Sequence, residues 1–356
     1  MTLSTKINAG RFFEDFVLNE VIQHATPRSI TAGDCALYIA LTGSRNPLHC
    51  SEPFAQSLGY NATPIDDLLA FHIAFGKTVP DISVNAVANL GYADVRFLQP
   101  VFVGDTLSTS SQIIGLKQNS NGKSGVVWVR STSFNQRGEA VLSWVRWVMV
   151  HKNNVDTPAP ATVIPELPSF VAPENLSIPS YFSVKSFDAK ITGGQYFWDD
   201  YQIGERINHP AGMTINDSDH SLATRLYQNN ARLHFDDHLM RALSFNQRLV
   251  YGGVVISLCR ALCYEGLENA ISILAINGGT HANPSFAGDT IYIATEVTDA
   301  WVLQKHSEIG ALRLRMIGIK NMSPTEMTEI KTEAGYHPNV VLDLDYTVAM
   351  PRRGNC

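Results

Sequence analysis

The feature that most constrains the fold of this chain is an internal repeat. When residues 13–49 are aligned with residues 198–234, an offset of 185, ten of the 37 positions are identical, where about two would be expected from composition. At an offset of 184, residues 100–106 match residues 284–290 at five of seven positions, including a Gly-Asp-Thr turn. Because the two matches have nearly the same spacing in both halves, the chain is predicted to contain two copies of one domain.

The two copies are separated by a proline-rich segment. Six of the 17 prolines fall within the 22 residues from position 158 to position 179. Proline has a fixed φ and no N–H group, so this segment can form neither a continuous helix nor a central strand, and an extended connector is predicted. The predicted organisation is a first domain over residues 1–152, a linker over residues 153–190 and a second domain over residues 191–356.

Both halves show the same order of hydrophobic patterns. Each contains a long apolar segment typical of a buried helix, at residues 68–77 and 250–263. Segments typical of strands follow, at residues 126–133 and 141–150 in the first half and at residues 312–316 and 342–346 in the second. These patterns predict an α+β fold in which an antiparallel sheet wraps a helix, with the two sheets joined edge to edge.

Composition excludes several classes of protein. Hydrophobic residues make up 45% of the 356 residues, so a sizeable core is expected rather than disorder. The net charge is −6 with no basic cluster, which argues against nucleic-acid binding. The sequence has no apolar run long enough for a membrane span and no signal-peptide core at its start, so a cytoplasmic protein is expected. The five cysteines form no CxxC pair, which favours free thiols over disulfides or a metal site.

Two motifs resemble those of the MaoC-like enoyl-CoA hydratases. Residues 43–49, Gly-Ser-Arg-Asn-Pro-Leu-His, are similar to the Gly-Asp-x-Asn-Pro-Leu-His segment that carries a catalytic aspartate and histidine in that family. Residues 96–106, Arg-Phe-Leu-Gln-Pro-Val-Phe-Val-Gly-Asp-Thr, are similar to the strand and turn that follow the motif. The resemblance implies the hotdog fold, and the internal repeat then implies a double hotdog.

Longer segments narrow the resemblance to members of this family that hydrate mesaconyl-CoA, also called 2-methylfumaryl-CoA. These segments are residues 66–80, 87–92 and 251–261. The resemblance implies a hydro-lyase that reversibly hydrates mesaconyl-CoA to β-methylmalyl-CoA, with an acyl-CoA substrate and with no cofactor and no metal. A homodimer is also expected, because such double units commonly pair. An acyl-CoA thioesterase and a non-catalytic acyl-CoA-binding module stay open as alternatives, because fold alone does not choose between them.

Hydration of a conjugated thioester requires a base for water and an acid for the α-carbon. His234 is the predicted catalytic residue, because imidazole titrates near neutral pH and the family motif places a histidine there. Its repeat partner, His49, is expected to contact the substrate. The motif aspartate is Ser44 in the first half and Asn229 in the second, and neither can accept a proton. Asn229 is expected to orient the water.

Without the motif aspartate, two sources of the base are open. Either His234 acts alone, or a carboxylate arrives from elsewhere in the chain. Asp219 and Asp236 are the nearest acidic residues in sequence.

The family also implies a binding site for the thioester oxygen. A glycine at the start of the long helix offers its N–H group, and this position corresponds to Gly252, with Gly253 expected to contact the substrate. Free N–H groups and the positive end of the helix dipole converge at such a helix start. The equivalent residues of the first half are Asp66 and Asp67, whose carboxylates would repel an enolate. The second half is therefore predicted to be catalytic and the first to be a degenerate copy that shapes the pocket.

Mesaconyl-CoA has a free carboxylate, so its pocket is expected to contain a cation. Arg45, beside the first-half motif, and Arg232, beside the second, are the predicted substrate-binding arginines.

Overall fold

A computed structural model describes residues 6–243 and 245–354 of the protein. Residues 1–5, Ser244, Asn355 and Cys356 lie outside the described residues. The described helices are α1 (Ala32–Thr42), α2 (Pro47–Cys50), α3 (Glu52–Ser57), α4 (Asp67–Ile82), α5 (Ala189–Thr192), α6 (Asp217–Leu226), α7 (Asp237–Arg241) and α8 (Gly252–Leu262). Short 3₁₀ helices lie at Phe13–Asp15, Pro173–Asn175, Trp198–Asp200 and Arg232–His234.

The strands of the first half are β1 (Val21–Gln23), β2 (Arg28–Ser29), β3 (Ala86–Phe97), β4 (Thr106–Gln118), β5 (Ser124–Phe134) and β6 (Ala140–His151). Those of the second half are β7 (Arg206–Asn208), β8 (Met213–Thr214), β9 (Ser272–Thr280), β10 (Thr290–Leu303), β11 (His306–Lys320), β12 (Lys331–Thr332), β13 (Gly335–Tyr336) and β14 (Val340–Pro351).

Twelve of these strands form one antiparallel sheet that runs through both halves. Its order is β1-β4-β5-β6-β3-β9-β14-β11-β10-β7, with β2 paired to β4 and β8 paired to β10. The halves join where β3 pairs with β9, from Tyr92 opposite Gly279 to Arg96 opposite Ala275. The predicted edge-to-edge joining is confirmed, and it gives each of these two strands a partner at what would otherwise be a free edge.

Helices α4 and α8 are the two helices that the sheet wraps. Thirteen of the 16 residues of α4 are buried, as expected for a helix that is apolar on nearly all sides. His72 of α4 lies with its Nε2 3.0 Å from the Oγ of Ser257 on α8. These two residues are repeat partners at the offset of 185, so their contact lies on the pseudo-twofold axis that relates the halves. The predicted α+β class, with a long helix wrapped by an antiparallel sheet in each half, is confirmed.

The proline-rich connector lies along the surface of both halves. Val163 forms a bridge with Leu116 of β4 in the first half. Further on, Phe182 and Phe187 are buried in a hydrophobic cluster that includes Leu274 of β9 in the second half. The connector is thus held by backbone pairing at one point and by aromatic packing at another.

No helix within residues 6–243 and 245–354 is long and apolar enough to cross a membrane. Over the same residues, no three or more His, Cys, Asp or Glu side chains are arranged to hold a metal ion. Four cysteines are described, and all are free thiols: Cys35, Cys50, Cys259 and Cys263.

Candidate active site

A cavity of about 290 Å³ lies at the start of α8. Its walls come from both halves, because α4, β3 and β6 line it together with α8, the segment before α8 and the residues after β9. Its polar lining residues are Ser83, Asn89, Tyr92, Arg146, Asn229, His234, Tyr251, His281, Asn283 and Ser285. Among the described residues, no Asp or Glu lines this cavity. Proton transfer in it therefore falls to imidazole or hydroxyl groups.

His234 is positioned in this cavity as a neutral imidazole. It ends the 3₁₀ helix Arg232–His234 and is 8% exposed. Its Nδ1–H donates to the carbonyl oxygen of Leu249 at 3.0 Å, which leaves the lone pair on Nε2. Burial lowers the pKa of His234 to about 4, so the ring is unprotonated at neutral pH. A neutral imidazole with an unbonded Nε2 can accept a proton from water.

The N-terminus of α8 reaches the same cavity and has no side-chain cap. The N–H of Val254 bonds back to the carbonyl of Tyr251 at 2.9 Å. The N–H groups of Gly252 and Gly253 have no hydrogen-bond partner within residues 6–243 and 245–354. Free donors at the positive end of a helix dipole suit an oxygen that gains negative charge.

Steric contacts explain both glycines at this helix start. A Cβ on Gly252 would lie 2.4 Å from the ring of His281, so only glycine leaves the helix N-terminus open beside that histidine. A Cβ on Gly253 would lie 2.3 Å from the ring of Tyr251 and 2.7 Å from Nδ1 of His72. Gly253 does not line the cavity, and close packing accounts for it.

Asn229 lines the cavity and offers it only a donor. Its Oδ1 accepts from the N–H of Ala231 at 3.0 Å, so the Nδ2 amide hydrogens are what the side chain can present to a ligand. Neither Asp236 nor Asp219 replaces the missing motif aspartate as a proton acceptor in the cavity. Asp236 caps α7 by accepting from the N–H of Leu239 at 3.0 Å, and Asp219 lies in the first turn of α6; neither lines the cavity.

A second histidine of the cavity was missed by the sequence analysis. His281 follows β9, and its Nε2 lies 3.1 Å from the hydroxyl of Tyr92 on β3. Burial lowers the pKa of His281 to about 4, so this ring is also neutral at pH 7. The repeat counterpart of His281 in the first half, at an offset of 184, is Phe97. Comparison of the two halves therefore does not single out His281 as a site residue.

The first half repeats the histidine geometry without the cavity. The Nδ1–H of His49 donates to the carbonyl oxygen of Pro64 at 3.2 Å, the counterpart of the bond that His234 makes. Its Nε2 lies 4.0 Å from Oδ2 of Asp67. The pocket that His49 lines is about 20 Å³, room for about one water molecule. The structure therefore does not bring His49 to the large cavity.

Asp67 fills the position that Gly252 leaves open in the other half. The two are repeat partners, and the Oδ2 of Asp67 accepts from the N–H of Ile273 at 2.9 Å. Asp66 caps α4 by accepting from the N–H of Leu68 at 2.9 Å. Burial raises the pKa of Asp67 to about 6. Two carboxylates thus occupy the helix start that is free of side chains in α8.

The two arginines predicted to bind substrate do not line the cavity. The Arg45 side chain is 56% exposed, and its Nη2 lies 3.1 Å from Oε1 of Glu265. Arg232 is also exposed. Among the described residues, the Lys or Arg side chain that lines the cavity is Arg146 of β6. Of the predicted site residues, the structure brings together His234, Asn229 and Gly252, and it leaves Arg45, Arg232, His49 and Gly253 outside the cavity lining.

Comparison with known proteins decides the family. Residues 15–135 match the family model described as MaoC like domain. The chain is 54% identical to the β-methylmalyl-CoA dehydratase of Chloroflexus aurantiacus, over 99% of this chain and 100% of that protein. The chain belongs to the MaoC-like dehydratases. Another relative, the mesaconyl-CoA hydratase of Cereibacter sphaeroides, is 52% identical over 98% of this chain and 100% of its own length. The resemblance predicted from the motifs is confirmed.

Solved structures of MaoC-like proteins show the same architecture. A MaoC domain protein dehydratase from Chloroflexus aurantiacus superposes with a TM-score of 0.96 at 54% identity, and the match covers 99% of this chain and 100% of that one. A Mycobacterium tuberculosis protein with a double hotdog fold gives a TM-score of 0.76 at 23% identity, covering 95% of this chain and 98% of that one. The double-hotdog prediction is confirmed, and the chain is an enzyme of the hydratase and dehydratase class.

Proposed function

We propose that this protein catalyses the reversible hydration of mesaconyl-CoA to β-methylmalyl-CoA. The observation that carries the proposal is a single cavity that holds a neutral histidine with an unbonded Nε2 and an uncapped helix N-terminus. These are the base and the oxyanion site that addition of water to a conjugated thioester requires. The two relatives described above are named for the two directions of this reaction.

In the first step, water attacks the β-carbon of the unsaturated thioester. The Nε2 of His234 accepts one proton of the water as the carbon–oxygen bond forms, while the Nδ2 of Asn229 donates to the water oxygen. The electron pair of the carbon–carbon double bond moves towards the thioester and produces an enolate. Its oxygen accepts a hydrogen bond from the N–H of Gly252, whose position at a helix N-terminus favours negative charge.

In the second step, the enolate takes a proton at its α-carbon. No carboxylate of the described chain lines the cavity, and the other imidazole, His281, is neutral at pH 7 because burial lowers its pKa to about 4. The proton therefore returns from the imidazolium that formed on His234. The low pKa of His234 makes this imidazolium a ready donor. The net change is the addition of one water without transfer of electrons, so the proposed reaction uses no redox cofactor and coenzyme A enters only as part of the substrate.

The first half contributes walls rather than a second catalytic centre in this proposal. Asp67 occupies the position where a thioester oxygen would bind, and the adjoining pocket of about 20 Å³ has no room for an acyl group. Helix α4 and strands β3 and β6 instead line the cavity of the second half. A homodimer and a cytoplasmic location stay predictions, and light scattering on the purified protein measures the first.

The proposal is tested by incubating purified protein with mesaconyl-CoA. Loss of the conjugated-thioester absorbance is expected, together with a product heavier by one water in mass spectrometry. A sample with no hydrated product at high enzyme concentration contradicts the proposal. Release of free thiol in the same sample would identify a thioesterase, and tight binding without turnover would identify a binding module.

A further inference from the structure

Arg146 is a buried cation on the wall of the large cavity. It lies on β6 and is 1% exposed. Its Nη2 donates to Oγ1 of Thr78 at 2.8 Å and its Nη1 donates to Oγ of Ser83 at 3.3 Å. Its Cζ lies 4.2 Å from the centre of the Phe75 ring. The guanidinium is therefore held on one side by two hydroxyls and on another by an aromatic face.

No carboxylate neutralises this cation within the described part of the chain. Its Nε is buried and has no hydrogen-bond partner, and no Asp or Glu lies within ion-pair distance of its side chain. The carboxylate of Asp81, on the same helix as Thr78, is bonded to His24 at 2.7 Å instead. Burial lowers the pKa of Arg146 to about 10, so the side chain is still charged at neutral pH. A buried charge with an unmet donor is costly unless an anion completes its surroundings.

Arg146 is connected to the catalytic histidine through the aromatic lining of the cavity. The ring of Phe75 lies 6.0 Å from that of Tyr251, which lies 5.3 Å from the ring of His234. On the sheet, Arg146 is directly opposite Tyr92, whose hydroxyl bonds to His281. The cation and the proton-accepting group therefore line one cavity from different halves of the chain.

The two halves of the repeat differ at the sheet position of this cation. Tyr92 on β3 pairs with Arg146, and its counterpart at an offset of 184, Ile276 on β9, pairs with Tyr346. The second half thus has a neutral tyrosine where the first half has arginine. This sheet position therefore places a cation on the wall of the cavity of His234.

We propose that Arg146 binds the free carboxylate of the substrate, which makes the enzyme selective for unsaturated acyl-CoA thioesters with a carboxylate on the β-carbon. This inference rests on the proposed function, and it identifies the group that recognises the non-reacting end of the substrate. A guanidinium has five N–H donors, and those that Thr78 and Ser83 leave unused can form charge-assisted hydrogen bonds to a carboxylate. Thr78 and Ser83 orient the guanidinium for this contact.

The decisive experiment compares two substrates that differ only at that group. Tiglyl-CoA has a methyl where mesaconyl-CoA has the carboxylate. In Arg146→Gln, the ratio of kcat/KM for mesaconyl-CoA to kcat/KM for tiglyl-CoA should fall at least about 100-fold from its wild-type value. Arg146→Lys, which keeps the charge without the planar donors, should show an intermediate fall. An unchanged ratio in both variants overturns the proposal.

Arg232→Gln is the matched comparison, since Arg232 lies beside the catalytic histidine in sequence but is exposed. A fall of the ratio in Arg232→Gln without one in Arg146→Gln would also overturn the proposal. If Arg146→Gln does not fold, as judged by circular dichroism, Thr78→Val gives the second test. Loss of one hydrogen bond to the guanidinium should lower the same ratio several-fold.

A binding measurement on the wild-type protein separates this inference from the proposed reaction. Succinyl-CoA and butyryl-CoA are saturated thioesters that differ by a carboxylate and a methyl at the same carbon. Tighter binding of succinyl-CoA by about 10-fold or more is expected, and equal or weaker binding refutes the role of Arg146. If the wild-type protein hydrates neither unsaturated thioester but keeps this preference, the proposed function fails and the carboxylate site stands.

Discussion

Replacing the two repeat-related histidines tests the inequality of the two halves. His234 and His49 are equally buried, each 8% exposed, and each donates its Nδ1–H to a backbone carbonyl just before the long helix. Substitution by alanine removes one such hydrogen bond in either case, which costs about 1 kcal/mol of folding free energy. The two variants should therefore lose similar stability, and His49→Ala serves as a structural control for His234→Ala.

Their effects on catalysis should differ by orders of magnitude. Of these two histidines, only His234 lines the large cavity. Loss of a general acid–base group lowers kcat by about 10²–10⁴, which corresponds to about 3–5 kcal/mol of transition-state stabilisation. His49→Ala should keep most of the wild-type kcat, because the Nε2 of His49 lies beside Asp67 and not in that cavity. Added imidazole should restore part of the activity of His234→Ala and should not change that of His49→Ala.

The assay is steady-state hydration of mesaconyl-CoA, with circular dichroism melts on the same samples. Equal loss of kcat in the two variants would refute the reasoning, because it would show that both halves take part in proton transfer. Retention of more than about a tenth of the wild-type kcat in His234→Ala would refute the role of His234 as the main base.

Three further predictions concern the same groups. Because burial lowers the pKa of His234 to about 4, kcat/KM should be constant from about pH 8 to pH 5 and fall on protonation below about pH 4; an acid limb near pH 6.5 in the pH–rate profile would contradict this. Gly252→Ala should lower kcat/KM at least about tenfold in steady-state kinetics, because its methyl group would lie 2.4 Å from the ring of His281, and wild-type activity would show that the helix start is not part of the site. Burial raises the pKa of Asp67 to about 6, above that of the unfolded chain, so its ionised form destabilises the fold above about pH 6 and the penalty disappears below about pH 4. Asp67→Asn should therefore raise the free energy of unfolding at pH 7.5 by about 1–2 kcal/mol, seen as a higher melting temperature, and this gain should vanish towards pH 4. A lower melting temperature at pH 7.5 would contradict the prediction.

The parts of the site that the sequence revealed are those formed by local segments. His234 and Asn229 lie five residues apart in one motif, and Gly252 begins the helix that follows them. A duplicated motif fixes such positions because each copy keeps the same residues at the same spacing. The same comparison revealed that Asp67 replaces Gly252 in the first half, which the structure explains as a carboxylate that fills its own pocket.

The parts that were missed depend on pairing between distant strands. Tyr92, Arg146 and His281 meet because β3 pairs with β6 on one side and with β9 on the other. No spacing along the chain encodes that neighbourhood. Arg232, in contrast, is adjacent to the motif in sequence yet exposed to solvent.

Arg146 did leave a weak signal in the sequence. It stands in the segment Trp-Val-Arg-Trp-Val, residues 144–148, and a charged residue among such large apolar neighbours is rarely buried without a partner. A cation inside a predicted core strand was thus a better pointer to the pocket than a cation beside the catalytic motif.

The proline-rich connector has a consequence for how unlike halves find each other. If the two halves were separate chains, each could pair with itself as well as with the other, and only the mixed pair would place Arg146 and His234 in one cavity. A pair of first halves would have Asp67 at the helix start, and a pair of second halves would have Tyr346 in place of the arginine. A tether raises the effective concentration of one half for the other to about the millimolar range, so that the mixed pair forms first. The connector thereby lets each half specialise without competition from symmetric pairings.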